Sequence, residues 1–167
     1  MNQLLQLLKI RRSVRVFKNK GIPKNKLEEI ADAARFAPSA RNLQPCEFVV
    51  VTDKAKLSQL AELGENGRFM AQAAACIAVF SIDTKYFLED GSAATCNILL
   101  AATALGLGSC WIAGDKKPYS LQVNALLKAP ASMKLISLIA LGYPQEKSVF
   151  MMAEKKELKT VLHWESF

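Results

Sequence analysis

The sequence predicts one α+β domain covering residues 1–167. Three observations lead there. Strand-like apolar runs and helical repeats interleave without the strict βαβ rhythm of a parallel sheet. Hydrophobic residues make up 51% of the 167 and charged residues 22%, too apolar for a disordered chain and enough for a substantial core. A segment from about Glu89 to Leu105 is apolar on nearly every face, which predicts a helix at the centre of the fold.

The elements follow in order. Leu4, Leu5, Leu7 and Leu8 predict a short opening helix that runs into a basic stretch. Val14, Val16 and Phe17 alternate with basic residues, as in a short extended segment. Pro23 suits the first turn of a helix, where its missing N–H costs nothing. Leu27, Ile30, Ala31 and Ala34 then recur at helical spacing. Residues 37–45, APSARNLQP, carry turn chemistry. Phe48 to Val51 reads as a strand, and Asp53 caps a helix with Leu57, Leu60 and Ala61 on one face. Ala75 to Ile82 is a second strand. Gly106 stops the long helix, and Ser109 to Ile112 form a strand ending at Gly114. Leu121 to Lys128 is helical and closed by Pro130; Leu135 to Leu141 is a fully apolar strand. The stretch 154–167 is charged, then apolar again at Val161, Leu162 and Trp164.

Charge is distributed unevenly. The formal net charge is +7, yet residues 1–27 hold eight bases and no acid, and the remainder is close to neutral. An anion is therefore expected at the N-terminus. The four cysteines, Cys46, Cys76, Cys96 and Cys110, show no Cys-x-x-Cys spacing, and His163 is the only histidine, so no zinc or iron–sulfur site is expected. Residues 1–10 do not read as a signal peptide, and reduced thiols in a cytoplasmic protein follow as the expectation. Residues 91–108 contain Asn97 and many small side chains, which favours a buried helix over a membrane span.

Three segments could carry chemistry. In IRRSVRVF, residues 10–17, Arg11, Arg12 and Arg15 supply guanidinium forks that match phosphate oxygens, with Ser13 adding a hydroxyl. An extended backbone points Arg11, Ser13 and Arg15 to one side. The same run also reads as a solvated basic face. In PSARNLQP, residues 38–45, Ser39, Asn42 and Gln44 offer neutral donors and acceptors suited to a heterocycle edge; an ordinary loop is the plainer reading. In SCWIAG, residues 109–114, a strand ends in Ala113 and Gly114, which lets backbone approach a flat ligand; a core strand with a turn reads equally well. Gly106 and Gly108 follow a helix and lack a third glycine, which excludes a dinucleotide fingerprint. Glu89 and Asp90 read as dipole partners or caps at a helix start. His163 reads as structural, and Cys110 has no basic neighbour in sequence to activate it.

Taken together, the Arg-Arg-Ser-x-Arg-x-Phe start, the Pro-Ser-x-x-Asn-x-Gln-Pro loop and the Glu-Asp helix running into Leu-Gly-Leu-Gly-Ser-Cys-Trp-Ile resemble the nitroreductase family of flavoproteins. Ala140-Leu141-Gly142-Tyr143-Pro144 and His163-Trp164-Glu165 extend that resemblance over Ile10 to about Glu165. It implies a mostly antiparallel sheet flanked by helices, a long buried central helix, and a domain completed by dimerisation. It implies an FMN-dependent oxidoreductase that takes electrons from NADH or NADPH and passes them to a small-molecule acceptor such as a nitroaromatic or quinone, by a ping-pong mechanism. The flavin would lie in a homodimer interface. Arg11, Arg12, Ser13 and Arg15 would hold its phosphate and ring edge; Pro38, Ser39, Asn42 and Gln44 would reach it from the other subunit. Ile112, Ala113 and Gly114 would back the ring, and Lys155 or Lys156 would return to the phosphate. No catalytic side chain and no metal is implied, since the flavin carries the chemistry. Cys46 departs from the aromatic residue usual after Gln44-Pro45. Dehalogenation or ring dehydrogenation on the same fold is the nearest alternative. A basic nucleic-acid- or anion-binding module is the alternative of another class, and Phe17 alone in the basic run offers nucleic acid no stacking platform.

Overall fold

The computed structural model describes residues 2–146 and 149–167. The helices are α1 (Gln3–Ile10), α2 (Lys24–Arg35), α3 (Lys54–Glu62), α4 (Phe87–Ala104) and α5 (Ser120–Leu127); the strands are β1 (Cys46–Val51), β2 (Ala75–Ile82), β3 (Gly108–Ala113) and β4 (Met133–Gly142). The four strands form one sheet in the order β1-β2-β4-β3, every neighbouring pair antiparallel. Register is set by pairs such as Phe48 with Val79, Ile77 with Ile139 and Cys110 with Ala140.

The sheet is the middle layer of three. Along β2, Cys76, Ala78 and Phe80 face a core shared with Leu57, Leu60 and Val123, while Ala75, Ile77 and Val79 face one shared with Leu27, Ile30 and Ile98. Both faces are thus dry, which explains why β2 and β4 read as continuous apolar runs without polar alternation. Each fully buried Leu or Ile here contributes about 1.5–3 kcal/mol. The long helix α4 buries Ala94, Thr95, Ile98 and Ala102, in agreement with its apolar sequence. Its Thr95 hydroxyl lies 2.7 Å from that of Ser137 on β4, so two buried polar groups satisfy each other.

Local expectations are met with shifts. Asp53 accepts from Lys56 N and caps α3. Pro23 stands one residue outside α2, as its cap, and not in the first turn. β1 begins two residues earlier than its apolar run, at Cys46. Val16 is 59% exposed, whereas Val14 and Phe17 are buried, so the alternation expected there breaks at its middle member. A 3-10 run at Glu65–Gln72 was not expected.

α1 caps itself through Asn2, whose side chain accepts from Leu4 N, and buries none of its residues. Residues 151–167 are exposed throughout. Among the described residues no helix is long and apolar enough to cross a membrane.

Candidate functional site

The arginine segment is fastened to the sheet. Val14 N donates to Ser109 O at 2.9 Å, Ser13 forms a parallel bridge with Ser109, and Phe17 forms an antiparallel bridge with Pro144. Two glycines make this possible: a Cβ on Gly108 would meet Val14 Cβ at 2.7 Å, and one on Gly142 would meet the Phe17 ring at the same distance. The arm therefore lies flat on the ends of β3 and β4.

That placement joins the first predicted segment to the third. The Cys110 thiol on β3 is pushed up by burial; Arg15 first, then the Ser13 hydroxyl and Arg11, pull it the other way. Arg15 and Cys110 line one cavity, so the thiol has a basic neighbour that sequence adjacency did not reveal. Arg15 also sits over the Phe69 ring, 5.8 Å from its centroid. A cavity of about 220 Å³ opens there, lined by Arg15, Asn66, Phe69, Cys110, Ile112, Ala113, Lys117 and Tyr119 among others. A second cleft of about 300 Å³, lined by Ser13 to Val16 with Gln145, Glu146 and Val149, shares Arg15 with the first. The end of β3 is held firmly: Tyr119 Oη donates to Ala113 O and Ser120 Oγ to Gly114 O.

Other predicted residues fare differently. Arg12 turns back and donates to the carbonyls of Arg11 and Lys9 (3.1 Å to Lys9), closing the end of α1. Gly114 lacks a side chain for a reason of packing, since its Cβ would strike Leu135 Cγ at 2.5 Å. Lys155 and Lys156 are exposed and line neither cleft. His163 is exposed and stacks on Phe167.

The loop Pro38–Gln44 stands apart. Ser39 Oγ accepts from Gln44 N at 2.9 Å, and Asp90 on α4 accepts from Ala40 N at 3.0 Å. Asp90 thus does more than complement a helix dipole. The cavities this loop lines, with Asp90 in their walls, share no residue with the two clefts at the arm. Within one chain the loop and the arginine arm are separate. Sequence reading missed Asn66, Phe69, Lys117 and Tyr119, which belong to segments without helical or strand period.

The nitroreductase family model matches residues 8–67 and 62–143, and the chain belongs to the nitroreductase family. A provisionally named NADH dehydrogenase/NAD(P)H nitroreductase of Archaeoglobus fulgidus is 34% identical over 174 residues, covering 100% of both chains. A crystal structure under the same provisional name from Bacteroides thetaiotaomicron superposes with a TM-score of 0.93 at 32% identity, covering 100% of this chain and 99% of that one. A provisionally named nitroreductase from Desulfovibrio desulfuricans, solved in complex with FMN, has a TM-score of 0.83 at 29% identity and covers 100% of this chain and 99% of its own.

Proposed function

We propose that this protein is an FMN-dependent oxidoreductase that takes electrons from NADH or NADPH and passes two of them to a nitroaromatic, a quinone or a similar acceptor. The observation that carries this reading is the fastening of the Ser13–Val14 backbone against β3, which sets Arg15 between two clefts, in a chain whose relatives include a provisionally named nitroreductase solved with FMN.

The donor set suits a phosphomonoester joined to a flat heterocycle. Guanidinium forks and a serine hydroxyl take phosphate oxygens, and Arg15, common to both clefts, stands between phosphate and ring. Ile112 and Ala113 back the ring in this reading, with Asn66 and Lys117 in the same cavity wall and Gly114 closing the strand behind them. FMN, when bound, supplies the hydride chemistry. The chain's own part is binding, orientation and exclusion of water. No histidine or thiol is assigned a proton transfer, and donor and acceptor occupy one place in turn, which gives ping-pong kinetics.

The working unit in this reading is a homodimer with FMN between the subunits. Pro38, Ser39, Asn42 and Gln44 then serve the partner's flavin, which accounts for a loop that shares no cavity with its own chain's arm. Large apolar side chains are exposed at Leu4, Leu5 and Leu8 of α1 and at Val161 and Trp164. A cavity of about 520 Å³ between α2 and the outer strand β1, lined by Ile22, Leu27, Ala31 and Val50, offers such residues a seat. Lys155 and Lys156 lie on the same exposed stretch and reach a phosphate only once it has docked.

Size-exclusion chromatography with light scattering and flavin absorbance tests the whole reading in one run. A yellow peak of dimer mass that releases FMN on denaturation is expected. A colourless protein that takes up no FMN on reconstitution, or a monomer that binds it tightly, refutes it.

A further inference from the structure

Among the described residues Asp90 is the only charged side chain that is buried, at 6% exposure. Burying an ionised carboxylate is costly unless it is paired and hydrogen-bonded. Asp90 has neither in full. Its Oδ1 accepts from one neutral donor, Ala40 N, and its Oδ2 has no partner. An apolar residue would avoid that cost, but it would leave Ala40 N–H without its acceptor, so the carboxylate is kept with that contact.

The other end of that hydrogen bond is a loop under strain. Arg41, Asn42 and Gln44 adopt φ of 54°, 55° and 51°, the left-handed region that few non-glycine residues enter. Such a backbone persists only where its surroundings over-determine it. Two side chains do so: Ser39, through Gln44 N within the loop, and Asp90, through Ala40 N from the rigid helix α4. Only the second ties the loop to the body of the protein.

We propose that Asp90 is the positioning residue of the Pro38–Gln44 loop, clamping Ala40 N–H so that Asn42 and Gln44 are held ready for the flavin of the partner subunit. The proposal rests on the flavin reading given above. Because the loop serves the ring and not the phosphate, its loosening weakens FMN and riboflavin by the same factor.

The test is a thermodynamic cycle. Asp90→Ala removes the acceptor; Ala40→Pro removes the donor and leaves α4 untouched. Ser39 is already extended, at φ −134° and ψ 151°, as a residue before proline prefers. Each change is expected to weaken binding of FMN, and of riboflavin equally, by about tenfold, the scale of one charge-assisted hydrogen bond. The double variant should bind no worse than either single one, because both break the same bond. Asp90→Asn, which keeps an acceptor oxygen, should restore affinity to within about threefold of the unaltered protein. Losses that multiply, or an Asp90→Ala protein that binds FMN as tightly as the unaltered one, overturn the positioning role alone. An unaltered protein that takes up no flavin overturns the function and this role with it.

Discussion

Replacing Gly91 by alanine sets two well-measured effects against each other. Alanine is the better helix former by about 0.8–1.0 kcal/mol, so a mid-helix substitution would ordinarily stabilise α4. At Gly91, however, α4 rests directly on β4. An added Cβ would stand 2.6 Å from Ile136 Cγ1, 2.8 Å from its Cγ2 and 3.1 Å from its Cβ. Ile136 is 2% exposed and β-branched, so it has little room to retreat. Overpacking of this kind costs about 1–3 kcal/mol, and three close contacts place it near the top of that range. The net expectation is a loss of about 2 kcal/mol, a fall in Tm of about 4–8 °C for a chain of this size. Thermal unfolding followed by circular dichroism at fixed protein concentration measures it. Ile136→Val keeps both offending γ carbons and should bring no relief. Ile136→Ala removes them, so the double variant should lose less than the sum of its parts. A Gly91→Ala protein as stable as the unaltered one would refute this account of how α4 meets the sheet.

Two further outcomes are expected. Arg11→Ala should weaken FMN about ten- to a hundredfold, from one or two lost charge-assisted bonds, yet leave riboflavin nearly unchanged; a fluorescence titration with both ligands separates a phosphate contact from a ring contact, and equal losses would place Arg11 elsewhere. Burial pushes the Cys76 thiol from its ordinary 9.0 up to about 12. Between those values the unfolded chain has lost the proton and the native one keeps it, so stability is complete below pH 9 and falls by about 1.4 kcal/mol per pH unit above it. Urea unfolding from pH 8 to 11 should show that decline, and Cys76→Ala should flatten it; an unchanged slope in the variant would assign the decline to other groups.

How much of this was legible in the sequence depends on the range of the interaction concerned. β2 and β4 could be read because both their faces are buried, which leaves an unbroken apolar run. The α3 cap could be read because Asp53 and Lys56 are three residues apart. The arginine arm was visible as charge, and its bond to Ser109 was not, since that contact joins distant parts of the chain. Arg12 shows the limit within a motif. Three arginines look alike in sequence, and nothing local says that one of them also donates to the carbonyls at the end of α1. Residues Glu65–Gln72 escaped because a 3-10 run has neither of the periods by which helices and strands announce themselves. Asp90 was noticed as a helix-start acid, but its partner Ala40 lies in a loop no local rule connects to it.

The docking of the arm has a consequence for the order of events during synthesis. Residues 11–17 are translated well before Ser109, Tyr143 and Pro144, on which they rest. At about 5–20 residues per second, the arginines wait several seconds for their seat. A nascent or clipped chain that stops short of β4 carries the full basic motif and has nowhere to hold it. Docking of the arm therefore requires only that the chain through Pro144 has been made.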